Sequence, residues 1–388
     1  MSVEVLGADL LREVKEEGLN ELLRSLRELE TLSNAPLGFF PLDKLLGAFQ
    51  NPPITRQQQQ YRTLWSTQLQ ETHQALPTAR EKPPLVIEIT GATACSGKTQ
   101  LLYHVISVSL LPSNYKDTFL FGKGHAVVLF DLSSRFSILH LYNIMRGHIS
   151  SICSANSSTI SDQELSSLIY DSLTHLHIFR PQESSSLLAT LENIPSYLLA
   201  QPPTHFSANR PLGILAINDL SAFLCQDRLE ADEESGISTT NHKEKANNTL
   251  FLQRYRNLVS SLRHIQHLFS CTIIATNWGL APVTSVVDHR GLRPHLPSVW
   301  NNFCTVKVVV ERDRGPKFGP GRRAEEAAKE KEQRLEAVER SGFSGWVNWW
   351  GSEDWREEVR EGVRGLKRGG SFSFKVTEKG IVVNDNDS

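Results

Sequence analysis

Short apolar runs alternate with longer amphipathic stretches along most of the chain. The runs Leu85–Ile89 (LVIEI), Ala126–Phe130 (AVVLF), Leu176–Phe179 (LHIF), Gly213–Ile217 (GILAI), Cys271–Thr276 (CTIIAT) and Thr305–Val310 (TVKVVV) are rich in β-branched and aliphatic residues. They have the length and texture of strands buried on both faces. Helical segments such as Gln100–Leu110 separate them. Strands spaced so widely are joined by crossovers, which favours a mostly parallel sheet covered by helices. The expected class is α/β. Phe372–Val383 (FSFKVTEKGIVV) reads as a closing β-hairpin. Ahead of Ser33, Leu6, Leu10, Leu11, Val14, Leu22, Leu23, Leu26 and Leu29 recur mostly three and four apart, predicting one or two amphipathic helices that pack on their own domain.

Polar interruptions divide the chain. Asn51–Pro84 carries Pro52-Pro53, a glutamine run at Gln57–Gln60 and Pro83-Pro84, the composition of a linker or insertion. Asp227–Asn248, with Glu230, Asp232, Glu233 and Glu234, and the Gly/Arg/Glu/Lys-rich region Arg314–Gly370 are expected to be loops. Within the second, Ala324–Arg340 has strong helix formers and charge pairs three or four apart, which predicts a solvated helix. The organisation expected is an N-terminal helical segment (1–34), a linker or insertion (35–84), a core (85–313), a charged Trp-containing insertion (314–370) and a closing hairpin with tail (371–388).

At 388 residues and 39% hydrophobic, the chain can bury a substantial core. Its net charge of −2 argues neither for nor against a polyanionic partner. The five cysteines are far apart and form no CxxC pair, which points to a reducing compartment. The acidic opening MSVEVLGADLLREVKEEGL is unlike a secretory leader, and no apolar run reaches the roughly 18 residues of a membrane span, so a soluble intracellular chain is expected. The 13 histidines are scattered; His175 and His177 share a strand face without a third ligand, and no metal beyond magnesium is suggested. Trp346, Trp349, Trp350 and Trp355 cluster, and such groups pack or contact proteins more often than they stack on bases.

Candidate chemistry concentrates in ITGATACSGKTQLLYH, Ile89–His104. A phosphate-binding loop needs main-chain N–H groups lining a concavity, a helix N-terminus behind them, a lysine for the β and γ phosphates, and a hydroxyl for magnesium. Here a strand precedes Gly91, Ala92, Thr93, Ala94, Cys95, Ser96 and Gly97, then Lys98 supplies the ammonium, Thr99 the hydroxyl, and a helix follows. Gly91 lies one residue too far from Gly97 for the usual spacing, so Ala92 takes the first small position. ATP and Mg²⁺ are the cofactors expected. Hydrolysis would further require a carboxylate at a neighbouring strand end and a group to activate water. The strand Leu212–Ile217 ends in Asn218-Asp219.

ILAINDLSAF, following GKTQLL, resembles the RecA-type recombinases, and among them the Rad-type recombinase paralogues of the X-ray repair cross-complementing kind. LDKLLG (42–47), VLFDLSSRFSILHL, SAFLCQDR and LPSVWNNFCTVKVVVERDR fit the same pattern, over roughly Pro41–Arg314 and the final hairpin. The resemblance implies a RecA-like P-loop NTPase core, a mostly parallel central sheet flanked by helices. It places the Walker B aspartate position on Asn218, with Asp219 one place later and, by strand alternation, on the opposite face. Asp219 joins Thr99 as a candidate magnesium residue. Ser133 stands where catalytic members carry a glutamate. Losing a general base costs about 10² to 10⁴ in rate, so nucleotide binding with weak or absent hydrolysis is expected and no catalytic residue is assigned.

The same resemblance implies nuclear residence, other recombinase paralogues as partners, DNA as a ligand in single-stranded or branched form, and a role in homologous-recombination repair of double-strand breaks. Its two DNA loops would be Asp227–Asn248 and Trp278–Trp300. The candidate DNA contacts are Arg290 and Arg293 in the second loop, and Arg312, Arg314, Lys317, Arg322 and Arg323 beyond it. The alternative is a P-loop kinase or hydrolase unrelated to recombination, which would need an acceptor pocket and an arginine-rich lid.

Overall fold

The computed structural model describes residues 37–50, 85–116, 118–156, 160–200, 204–234, 242–280, 291–313, 323–329 and 331–383. The helices expected over 1–34 lie outside the described residues. Each apolar run forms a strand: β1 (Val86–Gly91), β2 (Ala126–Asp131), β3 (Leu176–Phe179), β4 (Leu212–Asn218), β5 (Thr272–Leu280) and β6 (Val306–Arg312). Three more, β7 (Phe343–Val347), β8 (Phe372–Thr377) and β9 (Gly380–Val383), extend the same sheet. The order is β9-β8-β7-β6-β1-β5-β4-β2-β3. From β6 to β3 every neighbour is parallel, and β7, β8 and β9 are added antiparallel. The parallel strands are connected by helices, as crossover geometry demands.

Alternation along β1 explains why both sheet faces are covered. Ile87 and Ile89 enter one apolar core, whereas Val86 enters the other. The first core is closed by α1 (Phe40–Gln50), α2 (Lys98–Leu110), α3 (Ile138–Ala155), α4 (Asp162–Leu173) and α10 (Glu357–Gly365); the second by α5 (Ser184–Leu198), α6 (Leu224–Glu234) and α7 (His242–Phe269). Among the described residues no helix is long and apolar enough to cross a membrane.

Several polar stretches are built into this frame. Residues 37–50, grouped with the linker by composition, bury Leu42, Leu45, Leu46 and Phe49 through α1, and Asp43 holds the helix entry by accepting from Leu37 N–H at 2.8 Å. Within 314–370, β7 is a strand of the main sheet, and Trp355 packs edge-on to Phe49 at 5.1 Å and lies 5.5 Å from Trp349. These tryptophans are packing residues. The expected solvated helix over 324–340 is α8 (Ala324–Lys329) and α9 (Lys331–Arg340).

Asp227–Asn248 is not a loop where it is described: α6 covers 224–234, and α7 begins at His242. The reason is charge matching. Asp227 is buried and accepts from Ser184 Oγ at 2.8 Å and Tyr255 OH at 3.3 Å, while Arg254 reaches Asp227 at 3.6 Å and Glu230 at 2.6 Å. Acidic side chains that find partners on the next helix do not prevent helix packing.

Burial sets opposing pH dependences. It pushes the pKa of His104, with His148 beside it, down to about 4, and that of His177, with His205 and His175 beside it, also to about 4, both from 6.5. The folded state therefore binds fewer protons than the unfolded chain across this window, and stability rises with pH. Burial raises the Asp43 pKa from 3.8 to about 6, so its contribution falls as pH rises over that interval. Burial raises Glu88 and Asp227 as it does Asp43, but it lowers His148, His175 and His295 as well as His104 and His177, so the histidines set the sign. Urea unfolding at about pH 4.5 and about pH 7 is expected to show higher stability at the upper value, a slope flattened by His104→Leu and steepened by Asp43→Asn.

Candidate functional site

β1 ends at Gly91, the chain curls through Ala92–Gly97, and α2 opens at Lys98. Cys95 (φ 57°) and Gly97 (φ 97°) both take left-handed backbone, which turns the chain back on itself to form a concavity. Gly91 is required by close approach: a Cβ there would lie 2.3 Å from Ser96 Oγ and 3.0 Å from the Val310 carbonyl of β6. At Gly97 a Cβ would meet the Phe343 ring at 2.8 Å. Phe343 and Phe374 stack at 5.3 Å and back the loop from β7 and β8. Thr93, Ala94 and Cys95 are exposed, whereas Ser96 is buried.

Lys98 Nζ donates to Ser96 Oγ at 3.2 Å and lies 4.4 Å from the centre of the Trp278 ring. Burial holds its pKa below the ordinary lysine value, against the opposing charges of Asp219 and Cys95. Behind the first turn of α2, which contains Thr99, Gln100 is hydrogen bonded to His140 at 3.1 Å, and Tyr103 accepts from Ser137 N–H at 2.7 Å while stacking on Phe136 at 4.3 Å.

The neighbouring strand tips carry a closed polar network. Asp131 and Asn218 are paired in register at the ends of β2 and β4. Asn218 Nδ2 donates to Asp131 Oδ1 at 3.1 Å and to Ser133 Oγ at 3.0 Å, and Asn218 Oδ1 accepts from Thr276 Oγ1 at 3.1 Å. Both donors and the carbonyl of this amide are committed. Asp131 also accepts from Phe136 N–H at 2.9 Å and Arg180 Nε at 3.3 Å. Asp219 joins this network through its main chain, while its carboxylate accepts from Ser221 Oγ at 3.3 Å. β4 ends at Asn218, and the left-handed φ of 63° at Asp219 takes it out of strand alternation, so the opposite-face rule does not govern it. Its N–H donates to Thr276 Oγ1 at 2.8 Å, and its carboxylate acts on Lys98.

No family model matches the chain. Its sequence is similar to that of the DNA repair protein XRCC2 homolog of Arabidopsis thaliana, 23% identical over an alignment 269 residues long that covers 58% of this chain and 68% of that protein. At that identity the similarity is distant, and it agrees with the resemblance carried by the motifs. The RecA-like α/β core read from its motifs is borne out with that relationship and with the mostly parallel, helix-covered sheet.

Within this core the loop residues 91–99, Asp219, Asn218 and Ser133 come together at the same end of the sheet. The basic residues are placed individually. Arg293 is exposed on a two-residue strand paired with the end of β5. Arg312 is turned inward, with Nε donating to Ser341 Oγ at 3.2 Å and the guanidinium 5.6 Å from the Phe343 ring. Arg323 is exposed just before α8. Arg290, Arg314, Lys317 and Arg322 lie outside the described residues, as does 281–290 of the presumed second loop. His205 joins His175 and His177 around Ser207, yet among the described residues no three His, Cys, Asp or Glu side chains are placed to hold a metal ion.

Sequence reading missed Trp278, Thr276 and Arg180 as neighbours of the loop and the strand tips. Their signal lies in the register of parallel strands, Gly91 opposite Trp278 and Asp131 opposite Asn218, which a single sequence does not display.

Replacing Asn218 by Asp would set a second carboxylate against Asp131 and remove two donors from a buried network. Asn218→Asp is expected to lower stability near neutral pH by about 1–3 kcal/mol. The loss should shrink as pH falls and the pair takes up a proton, which chemical unfolding at several pH values will show.

Proposed function

We propose that the chain binds ATP with Mg²⁺ through residues 91–99 and hydrolyses it slowly or not at all. Its setting would be a nuclear complex with other recombinase paralogues and with DNA, acting in homologous-recombination repair of double-strand breaks. The observation that carries this reading is an intact phosphate cradle beside a strand tip whose amide is fully occupied. The cradle fits a polyphosphate: left-handed Cys95 and Gly97 open the loop, Gly91 leaves no room for a side chain, and Lys98 is partly desolvated. Thr99 and Asp219 would hold the magnesium ion, which neutralises charge on the β and γ phosphates when bound.

Asn218 cannot serve as the metal-organising carboxylate, and Ser133 cannot act as a general base of ordinary strength. Binding and assembly are then the functions left to the site. The similarity to a plant DNA repair protein supports the recombination setting. A kinase-type lid receives no support from 227–248, where Asp227 is tied to Arg254 between α6 and α7.

Lys98→Ala is expected to weaken equilibrium binding of Mg-ATP about 10- to 150-fold, the range for a hydrogen bond to a charged partner. Single-turnover assays should show no appreciable cleavage by the wild type. Cleavage at the pace of an active recombinase, abolished by Lys98→Ala, would overturn the reading. For DNA, affinity for single-stranded and branched oligonucleotides should fall with salt. Arg293→Glu and Arg323→Glu are each expected to reduce the log–log slope by about 1 if they touch phosphates, and an unchanged slope removes them from the interface.

A further inference from the structure

Trp278, at the tip of β5, is paired in parallel register with Gly91, so its indole stands beside the phosphate loop. Its main chain is held from both sides. Trp278 N–H donates to Asn277 Oδ1 at 2.7 Å, and Trp278 C=O accepts from His295 N–H at 2.9 Å. Asn277 is itself anchored, because its Nδ2 donates to Oε1 of the fully buried Glu88 at 3.0 Å. Moving this strand tip would break buried hydrogen bonds, so the backbone that carries the indole is held in place and the long Lys98 side chain is the more adaptable partner.

An ammonium withdrawn from water needs replacement for its lost hydration. Lys98 obtains it from one hydroxyl, Ser96 Oγ, and from the π face of Trp278 at 4.4 Å. A phosphate oxygen accepting from Nζ must compete for the same small group. Resting on the nucleotide reading above, we propose that Trp278 is an internal competitor for Lys98, holding the ammonium against its indole until a phosphate oxygen displaces it and thereby lowering nucleotide affinity. The residue is an affinity-setting one and takes no part in bond breaking. Were Trp278 instead a wall that the nucleotide packs against, its removal would weaken binding. The two roles therefore predict opposite signs.

Calorimetric titration with Mg-ATPγS, a slowly hydrolysed analogue, separates them. Trp278 is 37% exposed, so Trp278→Leu also removes some buried ring and its thermal unfolding is measured alongside binding, and Trp278→Phe keeps a weaker π face in the same place. Trp278→Leu is expected to bind about 2- to 30-fold tighter than wild type, the range a cation–π contact is worth, with Trp278→Phe in between. In a Lys98→Ala background the gain from Trp278→Leu should vanish. Unchanged or weaker binding by Trp278→Leu, or an equal gain without Lys98, overturns the proposal while leaving Lys98-dependent binding in place. Binding by no variant overturns the nucleotide reading and the proposal together; binding by Trp278→Leu alone supports both.

Discussion

A buried amide ties the tips of parallel strands together. Asn218, the last residue of β4, donates to Asp131 at the end of β2 and to Ser133 just beyond it, and accepts from Thr276 of β5. Parallel neighbours place their C-terminal ends side by side, and polar groups gathered there must pair with one another or stay hydrated. In this protein they pair. The arrangement satisfies the buried carboxylate of Asp131 with an amide, a backbone N–H and a guanidinium.

The loop at 91–99 depends on the same sheet in a different way. Its curvature is local, set by left-handed Cys95 and Gly97, but its walls are distant in sequence: the Val310 carbonyl against Gly91, the Phe343 ring against Gly97 and the Trp278 indole against Lys98. Local residues give the loop its shape, and long-range strand order gives Lys98 its surroundings.

That division explains what could be read in advance. The apolar run at 126–130 coincides with β2 because a strand buried on both faces leaves an uninterrupted hydrophobic signature, whereas 176–179 forms the half-buried edge strand β3. The loop at 91–99 was equally visible, since glycine and lysine there obey local steric and chemical demands. Asn218 and Ser133 stood out through family resemblance, but their hydrogen bond joins residues far apart in the chain. Asp227 misled in the other direction: an acidic stretch suggests a solvated loop unless the guanidinium of Arg254, on the following helix, is known to face it. Trp349 and Trp355 lay in a charged region, and nothing short of the fold connects them with Phe49.

The stacked rings of Phe343 and Phe374 behind Gly97 bear on biogenesis. During synthesis the strand, loop and helix from residue 86 to 110 leave the ribosome long before the aromatic pair that supports them. The nascent chain must therefore carry an unbacked loop until β7 and β8 emerge. The loop's finished form is acquired late in translation, with the docking of those strands, so a ribosome stalled before residue 374 would display the complete loop sequence without its backing.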